Sequence, residues 1–211
     1  MEDIVSFVDF APTFLEAAGV KIPEVMTGRS LLNVLDSNRS GRVDPKRTSA
    51  YSGRERHSHA RRDNLGYPTR ALRTPDYLYI RNFAPDRWPA GDPEGFHDID
   101  NGPSKEYVLA HRQQPEVRRF FELACAKRPA EELYDIRKDP GCTHNLAAAP
   151  AHAAAKQRLA AEFDRTLTAL KDPRLLGAGA IFESYPRYSP MRPELGGFAE
   201  QGKYNPAFQP K

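Results

Sequence analysis

Residues 5–32, VSFVDFAPTFLEAAGVKIPEVMTGRSLL, are the stretch whose reading decides what the rest of the chain can be. Val5-Ser6-Phe7-Val8 reads as a short strand or extended approach, which sets Asp9 where a helix N-cap belongs. Pro12 falls in the first helical turn, where a missing amide proton is tolerated. Phe10, Phe14, Leu15 and Ala18 share one face at helical spacing, and Gly19 supplies the stop. No obvious partner for that apolar face follows nearby. An exposed hydrophobic surface and poor solubility are therefore expected from it.

Outward from this segment, Asp36 to Arg47 is polar and irregular and reads as a linker. Ser49 to Ser52 is a candidate strand, and a charged segment runs from Gly53 to Asn64. Thr69 to Arg73 and Tyr77 to Phe83 predict two strands joined by a proline turn at Thr74-Pro75-Asp76. In the second strand Leu78 and Ile80 face one way while Tyr77, Tyr79 and Arg81 face the other, the alternation of a half-buried antiparallel sheet. Ala84 to Pro103 is rich in Pro, Gly and Asp and predicts an extended surface loop. A helix is expected from near Pro115, with Val117, Phe120, Phe121 and Ala124 as its apolar stripe and Lys127, Arg128 and Pro129 at its end. Glu131 to Ile136 predicts a short strand closed by Asp139-Pro140-Gly141. The clearest period belongs to a helix from about Pro150 to Lys171, with Ala155, Leu159, Phe163, Leu167 and Leu170 on one face. Gly177 to Lys211 has no period and reads as a tail, either disordered or laid over the surface.

The composition narrows the class. The 211 residues carry 31 basic and 28 acidic side chains, a net charge of +3. So even a balance gives no concentrated basic face of the kind nucleic acid requires. Nineteen prolines and a mean hydropathy of −0.67 indicate many loops around a modest core. No apolar run is long enough to span a membrane. Met1-Glu2-Asp3 is acidic and the apolar patch after it is short, unlike a signal peptide. Cys125 and Cys142 are expected to be free thiols, although two cysteines alone leave a disulfide open.

Asp9, Pro12-Thr13, Phe14-Leu15, Gly19 and Gly28-Arg29-Ser30-Leu31 together resemble the segment of sulfatases that closes the catalytic domain and leads into the smaller C-terminal subdomain. A second signature, Arg128 to Pro140 with Glu132-Leu133-Tyr134-Asp135 at its centre and Asn145-Leu146-Ala147 after it, is similar to the last strand, turn and closing helix of that subdomain. Between them lies Arg70-Ala71-Leu72-Arg73-Thr74. This and Asp172-Pro173-Arg174 look most like the heparan N-sulfatases (sulfamidases, N-sulfoglucosamine sulfohydrolases). The resemblance spans approximately Val5 to Pro173. It implies an α/β fold, α+β for this part alone: the end of an alkaline-phosphatase-like sulfatase domain, then a small antiparallel sheet packed on a helix. Residues 1–35 would be the tail of the catalytic domain, 36–48 a linker, 49–176 the C-terminal subdomain and 177–211 an irregular tail. It further implies a full-length enzyme that hydrolyses sulfate esters or sulfamates of sugars or amino sugars, with formylglycine and calcium, in a periplasmic or extracellular setting.

The nucleophile motif C/S-x-P-x-R does not occur here. Cys125 and Cys142 lack the following Pro and Arg, and Ser184-Tyr185-Pro186-Arg187 has its Arg one position too early. No residue is therefore expected to be catalytic or to bind metal, and the chain alone is expected to be inactive. Its partners would be a sulfated sugar or glycosaminoglycan-like substrate and the missing N-terminal domain, with neither nucleic acid nor membrane. Asp100-Asn101 reads as a turn, and His97 with Asp98 are too few to hold a hard cation. The functional candidate is the loop Ser52 to His59 with Arg61 and Arg62. Arg and His beside a carboxylate can recognise a sulfated sugar by charge-assisted hydrogen bonds. Resemblance to sulfamidase loops that reach over the pocket selects Glu55, His57 and Arg61 as substrate contacts; the bland reading of the same residues is a solvated charged loop. Arg70 and Arg73 read as strand-end residues that pair with carboxylates, and Trp88 as a loop anchor rather than a sugar platform. Two other classes stay open: a non-catalytic sulfated-glycan-binding or interaction remnant, and part of a related phosphohydrolase.

Overall fold

The computed structural model describes residues 1–185, 187 and 192–196. Of the short strand or extended approach expected over Val5–Val8, Ser6 is extended, but Phe7–Asp9 form a 3-10 turn. The cause is Asp9, whose carboxylate accepts the Ser6 amide at 3.1 Å and curls the chain back on itself. Asp9 does stand just before helix α1 (Phe10–Ala17), yet it makes no side-chain cap to that helix. It serves a different purpose. Its oxygens take the Arg29 amide at 2.9 Å and Arg47 Nη1 at 2.9 Å, while its carbonyl takes the Thr13 hydroxyl at 2.6 Å. Thr13 Oγ1 in turn accepts the Leu31 amide at 2.9 Å. Gly28 is required by contact, since a Cβ there would meet the Val8 carbonyl oxygen at 1.9 Å. The residues that look like a family signature are thus the parts of one buried knot.

The rest of this region follows from that knot. Gly19 ends α1 with φ +69°, a conformation glycine adopts without penalty. Helix α2 (Leu32–Leu35) buries Val34. The segment expected as a linker folds back: Asp3 accepts the Val43 and Asp44 amides, and Arg47 is buried against Asp9, Arg29 O and Ser30 O. The face that buries is Pro12 and Thr13. The aromatic face is bare instead, with the rings of Phe7, Phe10 and Phe14 tilted against one another at centroid spacings of 5.3 and 6.4 Å and Phe7 87% exposed.

Strands β1 (Ala50–Arg54), β2 (Thr69–Arg73) and β3 (Tyr77–Asn82) form an antiparallel meander, with Tyr51 opposite Leu72 and Leu72 opposite Tyr79. A long connection then carries helix α3 (Pro103–Ala110) and helix α4 (Pro115–Ala124) before β4 (Glu131–Asp135) pairs with β3, Leu133 opposite Tyr79. The four strands lie in sequence order. Helix α5 (Ala153–Ala169) crosses the face on which Leu72, Tyr79 and Leu133 make a row, and inserts Leu159, Phe163 and Leu167. Tyr79 and Phe163 meet edge to face at 5.4 Å. Burying these six side chains contributes about 1.5–3 kcal/mol each. Leu170, expected on the same stripe, lies past the helix end and is 51% exposed.

The long connection forms a second small core of Ala90, Phe96 and Cys125, against which Trp88 and Phe121 pack. Phe120, expected in the apolar stripe of α4, is 59% exposed; the inward residues are Val117 and Phe121. Helix α3 buries none of its residues, so no apolar stripe announced it. Tyr134 buries its ring and donates its hydroxyl to Glu132. Both cysteines are free thiols. Helix α6 (Ile181–Ser184) closes the described run. The tail is laid over the surface where it is described: Glu183 accepts the Gly66 amide, and Tyr185 O and Gly196 O bond Arg56 and His59.

Candidate functional site

The loop leaving β1 enters a network of alternating charges. Glu55 Oε1 lies 2.7 Å from Arg70 Nη2, and its Oε2 lies 2.6 Å from Arg174 Nη2. Arg70 also holds Asp172 at 2.6 Å, and Glu183 joins Arg87 at 2.6 Å and Arg174 at 3.7 Å. The Phe182 ring lies beneath Arg70 and Arg174, 5.8 and 5.5 Å from their guanidinium carbons. Three guanidiniums and three carboxylates balance in a largely desolvated space, which ties β1, β2, the end of α5 and the tail together. Arg70 is the carboxylate-paired strand residue that its position led us to expect. Asp172-Pro173-Arg174 acquires a physical role as the clamp on Glu55.

His57 stands apart from this network. Its ring is 59% exposed, with Nδ1 3.6 Å from Asp98 Oδ1. Asp98 is the buried centre here: it accepts from the Ser58 amide and hydroxyl at 3.1 and 2.9 Å and pairs with Arg61 at 2.7 Å. Burial opposes its ionisation, but Arg61 and the Ser58 bonds outweigh it and hold the carboxyl below its usual range. Arg61 is buried, with its side chain 2% exposed. It donates to the Trp88 and Pro89 carbonyls at 2.9 and 2.8 Å. His57 and Arg61 therefore meet on Asp98, whereas Glu55 belongs to a separate cluster.

Two partners escaped the sequence reading. Asp98, expected to be part of too small a set to hold a hard cation, is the ion partner that organises the loop; Arg61 lies 37 residues away in the chain, so no local signal joined them. The buried His59 ring touches the tail, with Nε2 2.9 Å from Gly196 O and Nδ1 3.3 Å from the Arg192 amide. That contact spans 133 residues or more and leaves no sequence signal. Burial pushes the His59 pKa down, as do the nearby Arg187 and Arg192. Behind Arg61 opens a cavity of about 550 Å³, bordered by Arg62, Trp88, His97, Lys127 and Glu194. Trp88 anchors the loop edge-on to Phe96 at 5.6 Å, with Lys127 Nζ 5.4 Å from its ring centroid.

Among the described residues no group of three or more His, Cys, Asp or Glu side chains could hold a metal ion. A calcium ion takes six to eight oxygens, which these residues do not bring together. Pro186, within the near-match Ser184 to Arg187, lies outside the described residues. No helix among the described residues is long and apolar enough to cross a membrane.

Comparison with known proteins gives a consistent result. Two ulvan-active sulfatases of Formosa agariphila are 29% identical over 160 residues and 31% identical over 181 residues, covering 74% and 80% of this chain. The chain spans about a quarter of their length, 27% and 26%. Similar solved structures include one in complex with its substrate D-glucosamine-2-N,6-O-disulfate (23% identity, TM-score 0.48) and a 2-O GAG sulfatase (22% identity, TM-score 0.47). Each match covers 25% of the solved chain, and they cover 79% and 78% of this one. The family described as N-sulphoglucosamine sulphohydrolase, C-terminal, matches residues 1–118, more than half of the chain. The protein therefore belongs to that family, the C-terminal region of sulfatases.

Proposed function

We propose that this chain is the substrate-side and supporting portion of an enzyme that hydrolyses a sulfate ester or sulfamate on an amino sugar. Residues 1–35 would close the catalytic domain, and 49–176 would form the C-terminal subdomain. The nucleophile, formylglycine in this family, and the calcium that activates it would be contributed by the preceding catalytic part. The described residues offer neither, so this chain's share is binding and support. The bare aromatic ladder Phe7, Phe10, Phe14 would then be the seat of that catalytic part, because apolar area of this kind is normally covered. His57 would face the substrate, its exposed ring oriented by the anionic Asp98. Arg61 would hold the loop that carries it, while Glu55 would serve the separate charge cluster with Arg70 and Arg174. The observation that carries the reading is the family match, which runs through both the ladder and the His57 loop.

The test joins this chain to a sulfatase catalytic domain containing a C/S-x-P-x-R motif and measures sulfate released from glucosamine 6-sulfate and N-sulfoglucosamine. Turnover is expected only in the joined protein, and His57→Ala should raise KM more than it lowers kcat. Sulfate release by the 211-residue chain alone would refute this division of labour, as would a joined enzyme indifferent to His57.

A further inference from the structure

We propose that tail residues 183–185 and 192–196 are a strap that positions the His57 loop, and that His59 is the positioning residue through which the strap lets go when its ring takes up a second proton. The consequence for a substrate rests on the reading of His57 given above; the strap itself does not. Its grip falls on both sides of His57. Ahead of it in the chain, Arg56 Nη1 donates to the Tyr185 carbonyl at 2.8 Å. Behind it, the His59 ring meets the strap at both nitrogens, and Arg192 Nη1 donates to the His59 carbonyl at 2.7 Å. The near end is anchored by Glu183, which accepts from the Gly66 amide at 3.0 Å and pairs with Arg87 at 2.6 Å. At the far end the turn Pro193–Leu195 lies against the turn Arg62–Asn64.

The two ring bonds allow one protonation state. A backbone amide can only donate, so Nδ1, 3.3 Å from the Arg192 amide nitrogen, is the acceptor. A carbonyl can only accept, so Nε2, 2.9 Å from Gly196 O, carries the proton. A proton added at Nδ1 would point at the Arg192 N–H, donor against donor, on a ring that is fully buried. The charged groups around the ring do not offset this. On the strap, Arg187 and Arg192 oppose a second positive charge and Glu194 favours it. On the facing turn Arg62 and Asp63 carry opposite charges, and in the loop His57 and Arg61 are matched with Asp98. His97, near Arg192 and Glu194, is itself pushed towards its neutral form by burial. Release returns His59 to water, where a histidine protonates near about pH 6.5. The open strap therefore gains population as pH falls through that value, until the folded pKa is reached.

Hydrogen exchange on the full 211-residue chain tests this, each rate being referred to the unstructured rate at the same pH. Protection of the Arg192 amide is expected to fall about five- to tenfold between about pH 7.5 and 5.5. Protection of the Ser58 amide, which donates to Asp98 at 3.1 Å, should fall with it. His59→Gln keeps an acceptor and a donor but has nothing to titrate, so both amides should hold steady over that range. Arg192→Pro removes the amide and guanidinium donors together. In that variant the Ser58 amide should exchange about fivefold faster at about pH 7.5, with the amides of β3 unchanged. Arg192 protection that is flat with pH, a slope that survives in His59→Gln, or Ser58 exchange indifferent to Arg192→Pro would overturn the proposal. In the joined enzyme the ratio of wild-type to His59→Gln KM should rise about fivefold over the same range, with the kcat ratio level. The expected exchange with a KM ratio that does not move would uphold the strap and count against His57 as a substrate contact, so either idea can fail without the other.

Discussion

Replacing Asp9 by Ala should unfasten the N-terminal segment while leaving the sheet intact. Asp9 and Arg47 are a buried pair, with side chains 9% and 3% exposed. Removing one partner of such a pair costs about 3–5 kcal/mol, because the other charge is stranded. Here the low end applies, about 3 kcal/mol, since Arg47 keeps Asp44 at 3.4 Å and the Arg29 and Ser30 carbonyls. The Ser6 and Arg29 amides lose their acceptor as well, adding roughly 0.5–1.5 kcal/mol for each. A total of about 4–6 kcal/mol is expected, and its location matters more than its size. The seam between this segment and β1 contains cavities of about 710 and 310 Å³, so the segment is stapled within itself more firmly than to the sheet. The loss should appear as local opening of the first 48 residues. Hydrogen exchange of the Leu31 amide, which reports the Thr13 bond, should accelerate by about a thousandfold or more, with amides of β3 unchanged. The double substitution Asp9→Ala with Arg47→Met should recover part of the protection by removing the stranded charge. Unchanged Leu31 exchange in Asp9→Ala would refute the claim that the signature residues form a knot.

Phe163→Ala removes the ring that Tyr79 packs against and should cost about 3–5 kcal/mol in urea unfolding, this time for the whole sheet. Phe7→Ser with Phe14→Ser should change stability by less than about 0.5 kcal/mol yet reduce self-association in light scattering, because both rings are bare. His59 is held below its usual pKa by burial, so the unfolded chain takes up a proton near about pH 6.5 while the folded chain does not. Stability therefore falls as pH drops below that point and stops falling below the folded pKa; His59→Gln should flatten the slope between pH 7.5 and 5 in urea midpoints. Glu55→Gln should destabilise by about 2 kcal/mol and leave kcat/KM of the joined enzyme unchanged, since both carboxylate oxygens are occupied by Arg70 and Arg174. A tenfold loss of kcat/KM without a stability change would instead make Glu55 a substrate contact.

The difference between what the sequence revealed and what it hid has one physical origin. Hydrophobic period is a local property, and the elements it controls were legible: the proline hairpin of β2 and β3, β4, and α5 with Leu159, Phe163 and Leu167 inward. Where an element buries nothing, as α3 does, there was no period to read. Charge is different, because a charged side chain shows its type but not its partner. Glu55, His57 and Arg61 looked alike as candidates for a sulfated ligand. Their fates diverge through Arg174, Asp98 and the Trp88 carbonyl, lying 119, 41 and 27 residues away in the chain. The same reasoning separates the two halves of the family signature. Asp9, Thr13 and Gly28 each close a contact that the others require, so a match to them certifies a fold and says nothing of a substrate. Specificity must therefore be sought outside that knot, among the polar groups that folding leaves exposed.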